Sequence, residues 1–149
     1  MSFMFKNFIR IMVSFSLATP LVVHANDCLL TPHRTTGTHY EAVTEQKINV
    51  SEGLIVRGQV LGFPGCRPVA GAKISHWQAG ENGYYQDRLR AYLFTGLDGR
   101  FQFESEWPNM PAPHIHFIVN ADGYKVLETQ WIGEARQEII DFTMVIEKH

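Results

Sequence analysis

The chain has 149 residues, with 13 Lys and Arg against 15 Asp and Glu, a formal charge of −2 at neutral pH. No basic cluster interrupts this balance, which argues against nucleic acid or an anionic membrane surface as a partner. The length suits one domain built around one core.

The N-terminus reads MSFMFKNFIRIMVSFSLATPLVVHANDC. Lys6 and Arg10 form a positive region ahead of an apolar stretch, Ile11 to Val23, and Val23-His24-Ala25 is a small-residue cleavage signature. The layout is that of a secretory signal over residues 1–25, and its apolar part is too short for a comfortable membrane span. The expected destination is the periplasm or the exterior, with no membrane attachment once the signal is cleaved. Cleavage leaves 124 of the 149 residues, carrying 11 of the 13 basic side chains and all 15 acidic ones. In an oxidising compartment the two cysteines, Cys28 and Cys66, are expected to pair, since neither has metal-finger spacing.

Residues 26–51 are polar and turn-rich and read as an extended arm ahead of a domain at 52–149. From Leu54 to Leu61 apolar residues alternate, up to the turn Gly62-Phe63-Pro64-Gly65. Ala70 to Trp77 alternates again. Leu89 to Thr95 and Arg100 to Ser105 flank Gly96-Leu97-Asp98-Gly99, which reads as a hairpin. His114 to Asn120 and Tyr124 to Ile132 flank Ala121-Asp122-Gly123, and a last strand is expected over about Glu138 to Ile146. No stretch carries a capped helical period. Short strands punctuated by Gly and Pro predict an all-β protein, an antiparallel β-sandwich.

The chemistry concentrates in PAPHIHFIVN, residues 111–120. Strand alternation puts His114 and His116 on one face and Ile115, Phe117 and Val119 on the other. Two imidazoles at alternate strand positions are a geometry for binding one metal ion. A chance pair on a wetted sheet face is the bland alternative.

A second stretch, HWQAGENGYYQDR at 76–88, sharpens this reading. Trp77-Gln78-Ala79, Gly83-Tyr84-Tyr85, Thr95 with Gly99 and Phe101-Gln102-Phe103, Pro108, His114-Ile115-His116-Phe117 and Thr129-Gln130 follow one another in order. Together with TPHRTTGTHY in the arm, they resemble the intradiol ring-cleavage dioxygenases over residues 31 to 146. The resemblance implies a β-sandwich of the intradiol dioxygenase (transthyretin-like) type. It also implies a non-haem Fe(3+) site of tyrosinates and histidines, and a catecholic substrate opened with O2 between its hydroxyls. By position, His114 and His116 match the histidine ligands. Tyr85 matches a tyrosinate that is at once ligand and part of the catalytic centre, and its neighbour Tyr84 is left as a rim aromatic.

The pattern then breaks. The family's second tyrosine belongs in a turn before the histidines, but Glu106-Trp107-Pro108-Asn109-Met110-Pro111 has none. Pro111 stands where an arginine is typical, and Tyr92 stands in place of a basic residue before Thr95. Tyr92 is thus a candidate catalytic stand-in, with His39, Tyr40 and His76 as further candidates. Losing one anionic ligand also brings Cu(2+) and Zn(2+) into consideration beside iron. Three functions follow from these residues: an intradiol-type dioxygenase, a copper or zinc protein of the same fold, or a non-catalytic binding module. A homo-oligomer is compatible with each.

Overall fold

The computed structural model describes residues 28–37 and 39–149; the signal read over residues 1–25 lies outside the described residues. Alternation of apolar side chains yields β1 (Leu54–Phe63), β2 (Arg67–Pro68), β3 (Lys73–Ala79), β4 (Tyr85–Phe94) and β5 (Arg100–Ser105). These are followed by β6 (His114–Asn120), β7 (Leu127–Ile132), β8 (Ile139–Asp141) and β9 (Met144–Glu147). Among the described residues there is no α-helix, and so none long and apolar enough to cross a membrane.

Two sheets form the sandwich. One runs β4-β3-β6-β7 and is antiparallel throughout. The other is built on β1, with β2 and β5 antiparallel to it and β8 and β9 parallel. Their inner faces meet through Leu54, Val56 and Val60 of β1 and Phe101 and Phe103 of β5. From the other side come Ile74, Leu93, Ile115, Phe117 and Val119. Each large apolar side chain buried here contributes about 1.5–3 kcal/mol relative to exposure. The expected β-sandwich is therefore the observed one.

Two details differ from the sequence reading. Gly96–Gly99 does make a tight turn, with Gly96 N–H bonded to Arg100 C=O at 2.9 Å. The strands on either side nevertheless part, β4 pairing with β3 and β5 with β1, so no hairpin forms. Thr95 enforces the crossing: its hydroxyl donates to Val69 C=O at 2.7 Å and accepts from Ala72 N–H at 2.9 Å. Gly99 has φ +72°, and a Cβ there would lie 2.7 Å from the Val60 carbonyl oxygen, so the turn packs directly on β1. The last strand is also split, into β8 and β9, where Phe142 N–H turns to Arg57 C=O at 2.9 Å.

The arm carries isolated bridges in place of regular strand. Cys28 is joined to Cys66, across 38 positions of sequence. Such a crosslink stabilises by roughly 4 kcal/mol in the loop-entropy model, an upper value because strain is neglected. Thr31 exchanges hydrogen bonds with Val145. Arg34 N–H reaches Glu128 C=O at 2.8 Å, and Tyr92 N–H reaches Glu45 C=O at 2.9 Å. The segment between them therefore crosses the outer face of the β4-β3-β6-β7 sheet, from β7 to β4.

Candidate metal centre

His114 and His116 stand on that outer face, opposite Ile132 and Gln130 of β7, while Ile115 and Phe117 enter the core. Cross-strand pairing sets Trp77 beside His116, and the two rings stack with centroids 4.9 Å apart and planes 4° from parallel. Trp77 is fully buried and His116 only 4% exposed, so the imidazole has little freedom to turn.

Tyr85 reaches the same face through an irregularity. Trp77 pairs with Arg90, and Ala79 pairs with Tyr85, so two steps along β3 are matched by five along β4. The odd excess reverses the alternation of β4. Leu89, Ala91 and Leu93 point inward, and simple period two would send Tyr85 with them; the bulge instead turns it outward. The loop before it is tied down by the turn that follows β5. Asn109 Nδ2 donates to Glu81 C=O at 2.9 Å, and Glu106 accepts from Glu81 N–H at 2.9 Å. Arg88 above all, with the Glu81 N–H and the Ser51 hydroxyl, holds the Glu106 carboxyl at about 2 against the opposing effect of burial.

The result is a convergence of three donor atoms. Tyr85 Oη lies 2.8 Å from His114 Nε2 and 3.1 Å from His116 Nε2. His114 Nδ1 donates to Ala112 C=O at 2.8 Å, which fixes the tautomer and leaves Nε2 as the free lone pair. Two ligands at right angles, each about 2.1 Å from an ion, lie about 3.0 Å apart. The observed spacings match that edge, and the phenol–imidazole donor set suits a transition metal. Burial pulls the His116 imidazole down to about 4, helped by His114, His39 and Arg90, so it is neutral and able to ligate at neutral pH. Burial pushes the Tyr85 phenol up, and the positive charge of Arg90 draws it back.

Tyr92, Tyr84 and His76 are not brought to this point. Tyr92 pairs with Ser75, one row away from the Trp77–His116 row. Its ring meets the Lys73 ammonium at 4.0 Å and the edge of Phe94, because the strand runs away from the bulge there. Tyr84 is 73% exposed. His76 faces the interior, fully buried and stacked on Phe103 with centroids 3.8 Å apart. The turn Glu106–Pro111 supplies no ligand; its role is to hold the loop before Tyr85.

One contributor was missed. Arg90, its side chain 10% exposed, donates from Nη1 to His39 C=O at 3.1 Å and stands close enough to act on Tyr85. Its parity with Tyr92 on β4 was the available signal. The arm, offered by the sequence through His39 and Tyr40, also reaches the site. Thr129 and Gln130 of β7 hold Pro32 C=O and Thr35 C=O at 2.9 and 2.7 Å. Gly37, with φ +74°, then passes so near that a Cβ would sit 3.7 Å from His116 Cε1. Tyr40 meets Trp77 edge-on, and His39 stacks over Tyr85.

No protein-family model matches the chain. It is similar to the hydroxyquinol 1,2-dioxygenase of Rhizobium sp. (strain MTP-10005), 32% identical across 52% of this chain and 36% of that protein. The 6-chlorohydroxyquinol 1,2-dioxygenase of Cupriavidus pinatubonensis is 33% identical across 52% and 38%. The chain thus spans little more than a third of the curated relatives it matches. Among solved structures, the dioxygenase domain of a dioxygenase–carbohydrate-binding fusion from Streptomyces sp. SirexAA-E superposes with a TM-score of 0.71 at 23% identity. That match covers 80% of this chain and 99% of the domain. The 3-chlorocatechol 1,2-dioxygenase of Rhodococcus opacus 1CP gives 0.69 at 18%, covering 80% and 73%. The structural likenesses carry the fold, and over about half of its length the chain is similar in sequence to hydroxyquinol 1,2-dioxygenases, in keeping with its resemblance to the intradiol ring-cleavage dioxygenases.

Proposed function

We propose that the protein is an exported, iron-dependent, intradiol-type dioxygenase acting on a catecholic substrate. The observation that carries this reading is the convergence of Tyr85 Oη with the Nε2 atoms of His114 and His116. These three side chains would hold the ion, with positions left for solvent and for a substrate binding through two oxygens. When bound, a ferric ion supplies the Lewis acidity that activates a catecholate toward O2. Trp77 and the Ala112 carbonyl fix the imidazole orientations. Arg90 favours the ionised form of Tyr85 and of an anionic substrate alike. The residues that relate the chain to hydroxyquinol and catechol 1,2-dioxygenases support the substrate class, and the N-terminal signal together with the Cys28–Cys66 bond supports export.

The turn without a tyrosine has a kinetic consequence. The turn at 106–111 offers no second phenolate to take the catechol proton on binding, and such general-base help is typically worth about 10²–10⁴-fold. Iron-loaded protein mixed with catechol in air should therefore consume O2 slowly, forming a ring-opened dicarboxylate. The same rate is expected in Tyr92→Phe and none in Tyr85→Phe. Rapid cleavage would contradict the assignment of the gap, and unchanged turnover in Tyr85→Phe would contradict the site.

A copper centre is the second reading. One anionic oxygen donor beside two imidazoles favours Fe(III) less strongly than two tyrosinates do and suits Cu(II) well.

A further inference from the structure

His39 belongs to the arm, yet its ring lies over Tyr85, with centroids 4.6 Å apart and planes 16° from parallel. The chain on both sides is anchored to the sheet that bears the site. Gln130 holds Thr35 C=O at 2.7 Å, and the largely buried Arg90 holds the carbonyl of His39 itself at 3.1 Å. Between these anchors Gly37 runs against His116. The backbone of residue 39 is thus tied to Arg90 with its ring over Tyr85, while that side chain remains exposed. The described residues contain no cluster of three His, Cys, Asp or Glu placed to hold a metal, so His39 does not ligate as it stands. Rotation of an exposed side chain about two bonds is fast, on the order of picoseconds to nanoseconds.

We infer that His39 is the fourth protein ligand, supplied by the arm in place of the tyrosine that the turn at 106–111 lacks. When the ion enters, the imidazole leaves the face of Tyr85 and turns a ring nitrogen onto the metal beside Tyr85, His114 and His116. The inference rests on the reading of those three as a metal site. Its chemical consequence is specific. Replacing an anionic phenolate by a neutral imidazole leaves three nitrogens and one phenolate oxygen, a set that raises the relative affinity for Cu(II) over Fe(III). The arm then does more than roof the sheet: its docking through Arg90 and Gln130 completes the coordination sphere.

The test uses the full mature protein loaded with Cu(II) or Fe(III). Affinity is measured by chelator competition, and the number of bound nitrogens by electron paramagnetic resonance of the copper form. His39→Phe keeps an aromatic ring on Tyr85 but cannot ligate. It should bind at least about 100-fold more weakly, since even outer-shell partners of a metal are worth roughly 10–100-fold, and it should show one nitrogen fewer. His39→Tyr should recover ferric affinity and add a second tyrosinate absorption. An unchanged nitrogen count in His39→Phe, whatever its affinity, overturns the assignment. The double variant His114→Ala/His116→Ala, which leaves at most Tyr85 and His39, separates the two levels. If it still binds metal stoichiometrically, the three-residue site itself is wrong. If it loses the metal while His39→Phe keeps its nitrogen count, only the fourth ligand falls.

Discussion

Replacing His114 or His116 by alanine is expected to weaken metal binding by more than about 100-fold. Their Nε2 atoms stand 2.8 and 3.1 Å from Tyr85 Oη, two spacings that fit ligands of a single ion. Removing one histidine leaves one imidazole and one phenol from the sheet. Outer-shell partners already cost about 10–100-fold in affinity when removed, and a direct ligand costs more. The loss should be local. Both side chains lie on the outer face, and His116 leaves behind the flat surface of Trp77, so the core of Ile115, Phe117 and Val119 stays packed. Equilibrium dialysis against Fe(III), Cu(II) and Zn(II) with unchanged thermal unfolding is the check. Wild-type affinity in both variants would remove the site, whereas Tyr92→Phe should bind as the wild type does.

Acid is expected to destabilise the protein through His76. This imidazole is fully buried against Phe103, and neither ring nitrogen finds a partner. Burial alone pulls it from 6.5 to about 3. The sign follows from linkage. Above pH 6.5 neither folded nor unfolded chain holds the proton, and His76 has no effect. Between 6.5 and about 3 the unfolded chain binds a proton that the folded chain refuses, so stability falls as pH falls. At 1.36 kcal/mol per unit, the loss from pH 6.5 to about pH 4.5 is about 2–3 kcal/mol. His116, held at about 4, adds to the same trend in metal-free protein. Glu106 enters later, its stabilising ionisation being lost only as pH falls from its unfolded value of 4.5 through about 2. Denaturant unfolding from pH 7 to about 4.5 should show His76→Leu with one proton less in its stability slope. Identical slopes would mean that His76 is not the acid-sensitive group.

Period two made the strands and the HIH pair legible. Along β6 every second residue is apolar and buried, and the histidines fall between them. Where the period failed, a local irregularity intervened. Tyr85 has inward parity relative to Leu89 and Leu93, and only the unequal register between β3 and β4 turns it toward the histidines. Its spacing after Trp77 identified it where alternation could not. Gly96–Gly99 carried a hairpin signal because turn chemistry is local, whereas the partner of each strand is decided by long-range packing. Thr95, bonded to Val69 and Ala72, sends the chain to the other sheet. The arm was opaque for a related reason. Its polar residues form no periodic pattern, and their positions come from single hydrogen bonds to Glu128, Gln130, Arg90 and Tyr92. His39 was a candidate by residue type, yet its place over Tyr85 had no local signature, and Arg90 was marked only by its parity with Tyr92.

The most direct test of a tyrosinate–dihistidine metal centre is elemental analysis, together with the visible spectrum, of the protein recovered from the periplasm. The proposed function predicts one iron per chain and a tyrosinate-to-Fe(III) charge-transfer band that Tyr85→Phe removes while His114→Ala/His116→Ala removes both metal and band. A protein that stays free of stoichiometric metal after reconstitution, or a band that survives in Tyr85→Phe, would contradict it.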